Sequence, residues 1–213
     1  MTTASLFKTA AVAAALAAAV AAPLAANAQA QQGAEGPWLV RVRAVSLNSA
    51  NHDSTGLNLA INDRVIPEVD VSYFFTPEWA AELVLTYPQK HDITASGTQI
   101  GTLKHLPPTL TAQYHYNALG AFRPYVGAGL NYTRFSGVSF APAIVAALQS
   151  SISKSSVGFA VQVGFDYQVA KNVYLNVDLK KVQIRTDIKS FGAKVGELKV
   201  DPTLFGVGIG YRF

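Results

Sequence analysis

The sequence predicts an all-β fold, an eight-stranded antiparallel transmembrane β-barrel with four longer extracellular loops and short periplasmic turns. Charged residues make up 14% of the chain, whereas about 25% is typical of soluble proteins. Half of the residues are hydrophobic, yet no apolar run after the N-terminus reaches the roughly 20 residues of a membrane-spanning helix. The chain ends on a strand pattern in which Val207, Ile209, Tyr211 and Phe213 alternate with Gly or Arg. A barrel must close such a last strand against its first.

The N-terminal segment is predicted to be a signal peptide. Lys8 supplies the positive charge, residues 10–22 form an apolar core, and small residues at 26, 28 and 30 create two cleavage motifs. Cleavage after residue 28 or 30 separates a signal peptide, residues 1–28, from a single outer-membrane barrel domain, residues 29–213. A retained membrane anchor is the alternative, but the core is short and Pro23 interrupts it.

The first three predicted strands each have an apolar and a polar face. Residues 38–47 place Arg41 and Arg43 opposite a row of valines, which suits a polar lumen and not a dry core. Residues 65–75 place Glu68 and Asp70 on the polar face, and residues 79–87 do the same with Glu82. Aromatic residues fall near the strand ends, as membrane-interface belts require.

The other five predicted strands continue the alternation. They cover residues 106–116, 125–135, 157–167, 173–179 and about 199–213. Inward glycines in the fifth relieve crowding in a narrow barrel. The alternation slips after Lys180, where we expect a bulge or the membrane rim.

The connections between these strands alternate in length. Short turns fall near residues 76–78, 117–122 and 170–172, and longer connections near 48–64, 88–105, 136–156 and 184–198. An even strand number and an exported chain place the short turns in the periplasm and the long loops outside.

The polar inner faces define the candidate lumen residues. They are Arg41, Arg43, Glu68, Asp70, Glu82, Gln113, Asp166, Asp178 and Arg212. Both signs are present and eight strands leave little free bore, so we expect these charges to pair as a plug near the periplasmic end. Ion selectivity is the alternative.

Two segments carry a family resemblance. They are Lys104-His105-Leu106-Pro107-Pro108-Thr109 and the strand from Arg123 to Thr133, RPYVGAGLNYT. Together with the glycine-rich ending they resemble the OmpW family of small outer-membrane proteins, which includes alkane-uptake relatives, over essentially the whole mature chain. The resemblance implies passive passage of small hydrophobic molecules, which leave sideways through the barrel wall.

Two segments are candidates for a hydrophobic path. Leu106, Pro107 and Pro108 could form a lateral opening, because proline has no N–H donor for a strand ladder; the alternative is a strand that merely starts after a loop. An Ala-rich run containing Ile144, Val145 and Leu148 could form an apolar mouth, with loop packing against the rim as the alternative.

The resemblance implies that Tyr211 and Phe213 act as an assembly signal for the outer-membrane insertion machinery. Outer-membrane lipid and small hydrophobic solutes are the other expected partners, and the protein is expected to be a monomer. No basic run supports a nucleic-acid partner, and nothing indicates an enzyme or a cofactor. The four histidines are scattered, which argues against a metal site, and His105 is expected to hydrogen-bond at the rim. A structural or receptor barrel and a narrow ion channel remain alternative functions.

Overall fold

The computed structural model describes residues 35–142, 149 and 151–213. This part of the chain is built from β-strands. Their bounds are β1 (Trp38–Asn48), β2 (His52–Asp53), β3 (Leu59–Ile61), β4 (Arg64–Phe74), β5 (Trp79–Leu85), β6 (Gln89–Ala95), β7 (Thr98–Leu106), β8 (Thr109–His115), β9 (Phe122–Phe140), β10 (Ser151–Ile152), β11 (Ser155–Ala170), β12 (Val173–Val182), β13 (Arg185–Ser190), β14 (Ala193–Lys199) and β15 (Thr203–Arg212). The predicted signal peptide, residues 1–28, lies outside the described residues.

Eight of these strands close into an antiparallel barrel. Their order around the barrel is β1, β4, β5, β8, β9, β11, β12 and β15, and β15 pairs with β1 again. At the seam, Phe213 N donates to the Trp38 carbonyl at 2.8 Å and Trp38 N donates to the Phe213 carbonyl at 3.1 Å. The predicted fold class is therefore confirmed, and the last strand closes against the first.

The long connections contain more structure than the predicted loops. β6 and β7 form a hairpin that continues β5 and β8 upward, away from the three short turns. A second sheet, in the order β10, β13, β14 and β2, lies at the same end. Strand pairing thus continues beyond the barrel and gives backbone N–H and C=O groups partners there.

Strand β12 differs from its prediction. Of the two alternatives expected after Lys180, the bulge is absent from β12, which continues in register with β11 to Val182. The register shift lies at the other end of this pair, between Gln168 and Ala170. The predicted strand was too short because Lys180 and Lys181 are adjacent polar residues, of which only Lys181 is exposed.

The outer surface of the barrel is apolar. Many large hydrophobic side chains on the strands are exposed there, including Leu83, Leu110 and Phe159. Trp38 and Tyr73 make an edge contact with ring centroids 4.7 Å apart near the short turns, as expected of an interfacial aromatic belt. No helix in the described part of the chain is long and apolar enough to cross a membrane.

The interior has two layers, which we call lower, near the short turns, and upper. Charged and polar side chains fill the lower layer, whereas the largest buried apolar cluster occupies the upper one. Glycine makes room for large side chains in the lower layer: a Cβ on Gly164 would lie 2.6 Å from the hydroxyl oxygen of Tyr125. This close approach explains an inward glycine directly opposite Tyr125 in the ladder.

Candidate functional site

An apolar chamber occupies the upper end of the molecule. Its volume is about 490 Å³, within the range of typical small-ligand pockets. Its apolar lining comes from several strands and includes Leu59, Ile93, Leu103, Phe140 and Leu198. The short extracellular strands thus form a binding cavity for an apolar group. The sequence predicted only loops in these segments and gave no sign of this cavity.

The chamber reaches the outer surface. Leu57 and Val195 line it, and they are 52% and 53% exposed. Exposed apolar side chains around a cavity are typical of a binding entrance. The predicted apolar mouth residues Ile144, Val145 and Leu148 lie outside the described residues, so their role stays a prediction.

An ion-pair cluster fills the lumen below the chamber. Its members are Arg41, Arg43, Lys180, Glu68, Asp70, Glu82, Asp166 and Asp178, all at most 5% exposed. Arg41 binds Asp166 through two hydrogen bonds of 3.0 and 2.7 Å and Asp70 through one of 2.9 Å. The bidentate contact between Arg41 and Asp166 is characteristic of arginine with carboxylates.

The second arginine and the lysine extend the cluster across the barrel. Arg43 lies 2.7 Å from Glu68 and 3.0 Å from Asp70. Lys180 lies 3.3 Å from Glu82 on the facing strand β5. Because these contacts join β1, β4, β5, β11 and β12, the cluster bridges the lumen and blocks a straight path through it.

The lower end of the barrel is closed by a second group of charges. Glu35, just before β1, accepts hydrogen bonds of 2.6 and 2.9 Å from Arg123 and lies 3.2 Å from Arg212. Partial burial raises the pKa of Glu35, but hydrogen bonds from Arg123 and Tyr174 and the charge of Arg123 outweigh it, so the pKa is lowered. Glu35 is therefore a carboxylate at neutral pH and fastens the N-terminal segment across the barrel end.

Between the chamber and the cluster lies a much smaller cavity. Its volume is about 20 Å³, room for roughly one water molecule. Ile66, Thr86, Pro107 and Lys180 are among its lining residues. An apolar solute in the chamber therefore meets a floor with room for little more than one water molecule.

The barrel wall is interrupted beside this lower cavity. The β5–β8 ladder ends at the Val84–Thr109 pair, and the β6–β7 ladder begins at Gln89–His105. Within the described chain, no strand pairing joins residues 86–88 to residues 106–108. We call this interruption the wall break.

Prolines account for the wall break. Pro88 lies on one side, and Pro107 and Pro108 lie on the other, and none of them has an N–H to donate to a ladder. The side facing β9 is not open, because Tyr132 N donates to the Pro108 carbonyl at 3.0 Å and the Asn131 amide donates to Pro107 and Pro108. The sequence singled out the segment from Leu106 to Pro108, and Pro88 was missed.

A stacked histidine pair lies immediately above the wall break. The rings of His91 and His105 are 4.6 Å apart at an angle of 9°, and both residues are fully buried. The expectation that His105 hydrogen-bonds at the rim is wrong, because neither of its ring nitrogens has a hydrogen-bond partner among the described residues. Within the described residues, no group of three or more metal-ligating side chains is present.

The remaining predicted residues lie at the lower end. Gln113 is buried, and its Oε1 accepts a 3.0 Å hydrogen bond from His115 Nε2. Arg212 donates to the Gly36 carbonyl at 2.8 Å and lies over the Phe74 ring at 3.8 Å. Tyr211 and Phe213 stack with centroids 6.2 Å apart, and Phe213 is 56% exposed. Nothing in these contacts assigns a transport role to the two terminal aromatics.

With this geometry in place, comparison with known proteins identifies the family. The model of the OmpW family matches residues 35–213. The chain belongs to the OmpW family. Residues 35–213 include the whole described barrel, so the family relationship covers the chamber, the cluster and the wall break.

Three relatives illustrate the family's range. The "Uncharacterized outer-membrane protein y4mB" of Sinorhizobium fredii is 41% identical over 187 residues, 83% of this chain and 80% of its own. Outer membrane protein W of Vibrio cholerae is 34% identical over 194 residues, 84% of this chain and 89% of its own. The "Dibenzothiophene metabolism operon protein PahQ" of Pseudomonas aeruginosa is 30% identical over 151 residues, 68% of this chain and 69% of its own.

A solved structure has the same architecture. The crystal structure of the outer membrane protein OprG from Pseudomonas aeruginosa superposes with a TM-score of 0.73 at 25% identity, covering 85% of this chain and 98% of OprG. The OmpW-family barrel described here is therefore an outer-membrane protein, as the sequence predicts.

Proposed function

We propose that this OmpW-family barrel carries small hydrophobic molecules from the exterior into the outer membrane, through the upper chamber and out through the wall break. The observation that carries the proposal is the position of the chamber directly above a sealed lumen. An apolar solute that enters from outside cannot cross the ion-pair cluster, because displacing buried, paired charges by an apolar group leaves them uncompensated.

The sideways exit is proposed because the wall break is the interruption of the barrel wall nearest to the chamber floor. The lower cavity holds about 20 Å³ and is lined by Thr86 and Pro107, which flank the wall break. Outside this part of the wall lies the apolar belt that faces lipid. A solute leaving here moves from one apolar environment to another, which costs little free energy.

The name of one relative is consistent with this chemistry. PahQ is named for a dibenzothiophene metabolism operon, and dibenzothiophene is an apolar aromatic compound. We extend this to the present chain only as a choice of probe: naphthalene, a smaller aromatic hydrocarbon, is a suitable test solute.

Cross-linking the wall break tests the proposal. The chain has no cysteine, so Tyr87→Cys with Leu106→Cys places two unique thiols across the break. The matched control is Leu83→Cys with Leu110→Cys, an exposed pair already joined in the β5–β8 ladder. Both double variants are reconstituted into vesicles with lipopolysaccharide in the outer leaflet and treated with a bis-methanethiosulfonate reagent.

We expect the cross-link at the wall break to slow naphthalene uptake several-fold and a reductant to restore it. The cross-linked control should take up naphthalene at the uncross-linked rate, because its strands are already paired. Equal uptake before and after the two thiols at the wall break are cross-linked, with the cross-link verified by mass, would refute a lateral exit at this site.

A further inference from the structure

The stacked histidine pair carries unsatisfied hydrogen-bonding capacity. The buried atoms without a partner among the described residues include Nε2 of His91 and both Nδ1 and Nε2 of His105. Buried polar atoms in native proteins are rarely left unpaired, since water or a ligand usually completes them. Three such atoms on two adjacent rings form a concentrated polar spot in an otherwise apolar layer.

The hydrogen-bonding pattern of His91 is fixed by its one contact. His91 Nδ1 lies 2.9 Å from the carbonyl oxygen of Asn62. A carbonyl only accepts, so Nδ1 carries the hydrogen, and Nε2 of a neutral ring is left as an acceptor. Protonation of both rings at once is disfavoured at a centroid distance of 4.6 Å, because two positive charges repel most strongly where water is excluded.

The neutral His105 ring complements this acceptor. One of its nitrogens donates and the other accepts. Together the pair offers a free acceptor on His91 and a free donor and acceptor on His105. A hydroxyl group matches this arrangement, because it donates one hydrogen bond and accepts others.

The pair lies on the route proposed for the solute. On the same inward faces of β6 and β7, Ile93 and Leu103 line the chamber above it. Below it, Thr86 and Pro107 line the lower cavity beside the wall break. A solute moving from the chamber to the break therefore passes the two imidazoles.

From this placement we propose that His91 and His105 form a recognition site for a hydroxyl group, so that the barrel favours apolar alcohols and phenols over the parent hydrocarbons. This inference rests on the proposed hydrophobic passage and names its substrate class. A hydroxyl loses its water on entering the apolar chamber, and the histidine pair would replace the lost hydrogen bonds between the chamber and the wall break. A hydrocarbon has no such group and gains nothing there.

Matched probes separate this inference from general hydrophobic passage. Uptake of 1-naphthol and of naphthalene is measured in the same lipopolysaccharide vesicles for the wild type, His105→Phe and His91→Phe. Phenylalanine keeps a flat ring for stacking but removes the nitrogens. His105→Gln keeps one donor and one acceptor, and His52→Gln, at an exposed position in β2, controls for loss of a histidine elsewhere.

We expect His105→Phe to lower the ratio of 1-naphthol to naphthalene uptake about five- to tenfold, the effect of one or two hydrogen bonds. His105→Gln should recover most of the ratio, and His52→Gln should leave it unchanged. If His105→Phe keeps the wild-type ratio, or slows both probes equally, the pair has only a structural role and the inference is overturned. If wild-type vesicles take up neither probe faster than protein-free vesicles, the proposed passage fails and the inference fails with it.

Ring-nitrogen NMR gives a readout that does not depend on flux. In protein labelled with 15N in its histidine side chains, 1-naphthol should shift the resonances that His91→Phe and His105→Phe remove, and naphthalene should shift them much less. Equal shifts with both probes, or none with either, would overturn hydroxyl recognition even if uptake is observed. Folding of each variant is checked by its far-UV circular dichroism before either measurement.

Discussion

Arg41 is the residue on which the lower layer depends most. It is fully buried and contacts Asp166, Asp70 and, at 3.4 Å, Glu82. Arg41→Met removes the charge at similar length and leaves Asp166 without an arginine partner, while Arg43 and Lys180 still contact Asp70 and Glu82. We expect the free energy of unfolding to fall by about 3–5 kcal/mol, measured by urea titration in lipid vesicles. Lys90→Met, at an exposed position in β6, is the control; a loss below about 1 kcal/mol for Arg41→Met would mean that water already solvates the cluster.

Substituting Gly164 tests how tightly the side chains of the same layer are packed. A Cβ there would lie 2.5 Å from the Val177 carbonyl oxygen and 2.6 Å from the Tyr125 hydroxyl. Gly164→Val should therefore lower the free energy of unfolding by about 1–3 kcal/mol, the usual cost of overpacking. Ala112→Val, on the exposed outer face of β8, should change it little in the same titration. Comparable effects of the two substitutions would show that Tyr125 moves aside freely.

At this scale, strand parity predicted which side chains turn inward, but not every partner. Arg41 and Glu82 follow a strict two-residue alternation, so their burial could be read from the sequence. Lys180 also has inward parity with Asp178, yet the adjacent Lys181 made the strand appear to end first. His91 and His105 lie near the two ends of one predicted loop, residues 88–105, and no local pattern reports their contact.

The segment before β1 is held across the lower end of the barrel by the contacts of Glu35 with Arg123 and Arg212. Glu35 lies there as a carboxylate with a lowered pKa, so its stabilising contribution is present at neutral pH and disappears as the pH falls through that pKa. Glu35→Gln should lower the free energy of unfolding at pH 7 by about 1 kcal/mol, allowing for solvent screening of a partly exposed pair. At pH 3 the wild type and the variant should approach each other. A difference of the same size at both pH values would contradict this ionic role.

The extracellular elements also show why the site was harder to predict than the barrel. The barrel strands must place every other residue in lipid, which imposes a regular pattern on the sequence. Strands β6, β7, β13 and β14 continue beyond the apolar belt, where outward residues need not be apolar. Their pairing is specified by contacts between distant segments, and so the upper chamber that they build could not be read from periodicity.

In the whole molecule, the ion-pair cluster and the wall break separate two kinds of passage. Ions need a continuous wet path along the barrel axis, and the cluster and the Glu35 contacts obstruct that path at two levels. Hydrophobic solutes need only the chamber and the break. The proposed function therefore requires uptake of an apolar solute without a matching ion current, whereas a narrow ion channel requires the reverse and a purely structural barrel shows neither.

Planar-bilayer recording beside vesicle uptake distinguishes these cases. We expect wild-type protein to speed naphthalene uptake while adding no sustained current above the protein-free bilayer. Arg41→Gly combined with Arg43→Gly should raise the current, because it removes both guanidinium groups that fill the lumen and leaves unpaired carboxylates that draw in water and cations. In double-variant protein whose far-UV circular dichroism matches the wild type, naphthalene uptake should be nearly unchanged, since the exit lies above the cluster. If uptake instead rises in parallel with the current, the solute passes along the axis and the lateral route is wrong.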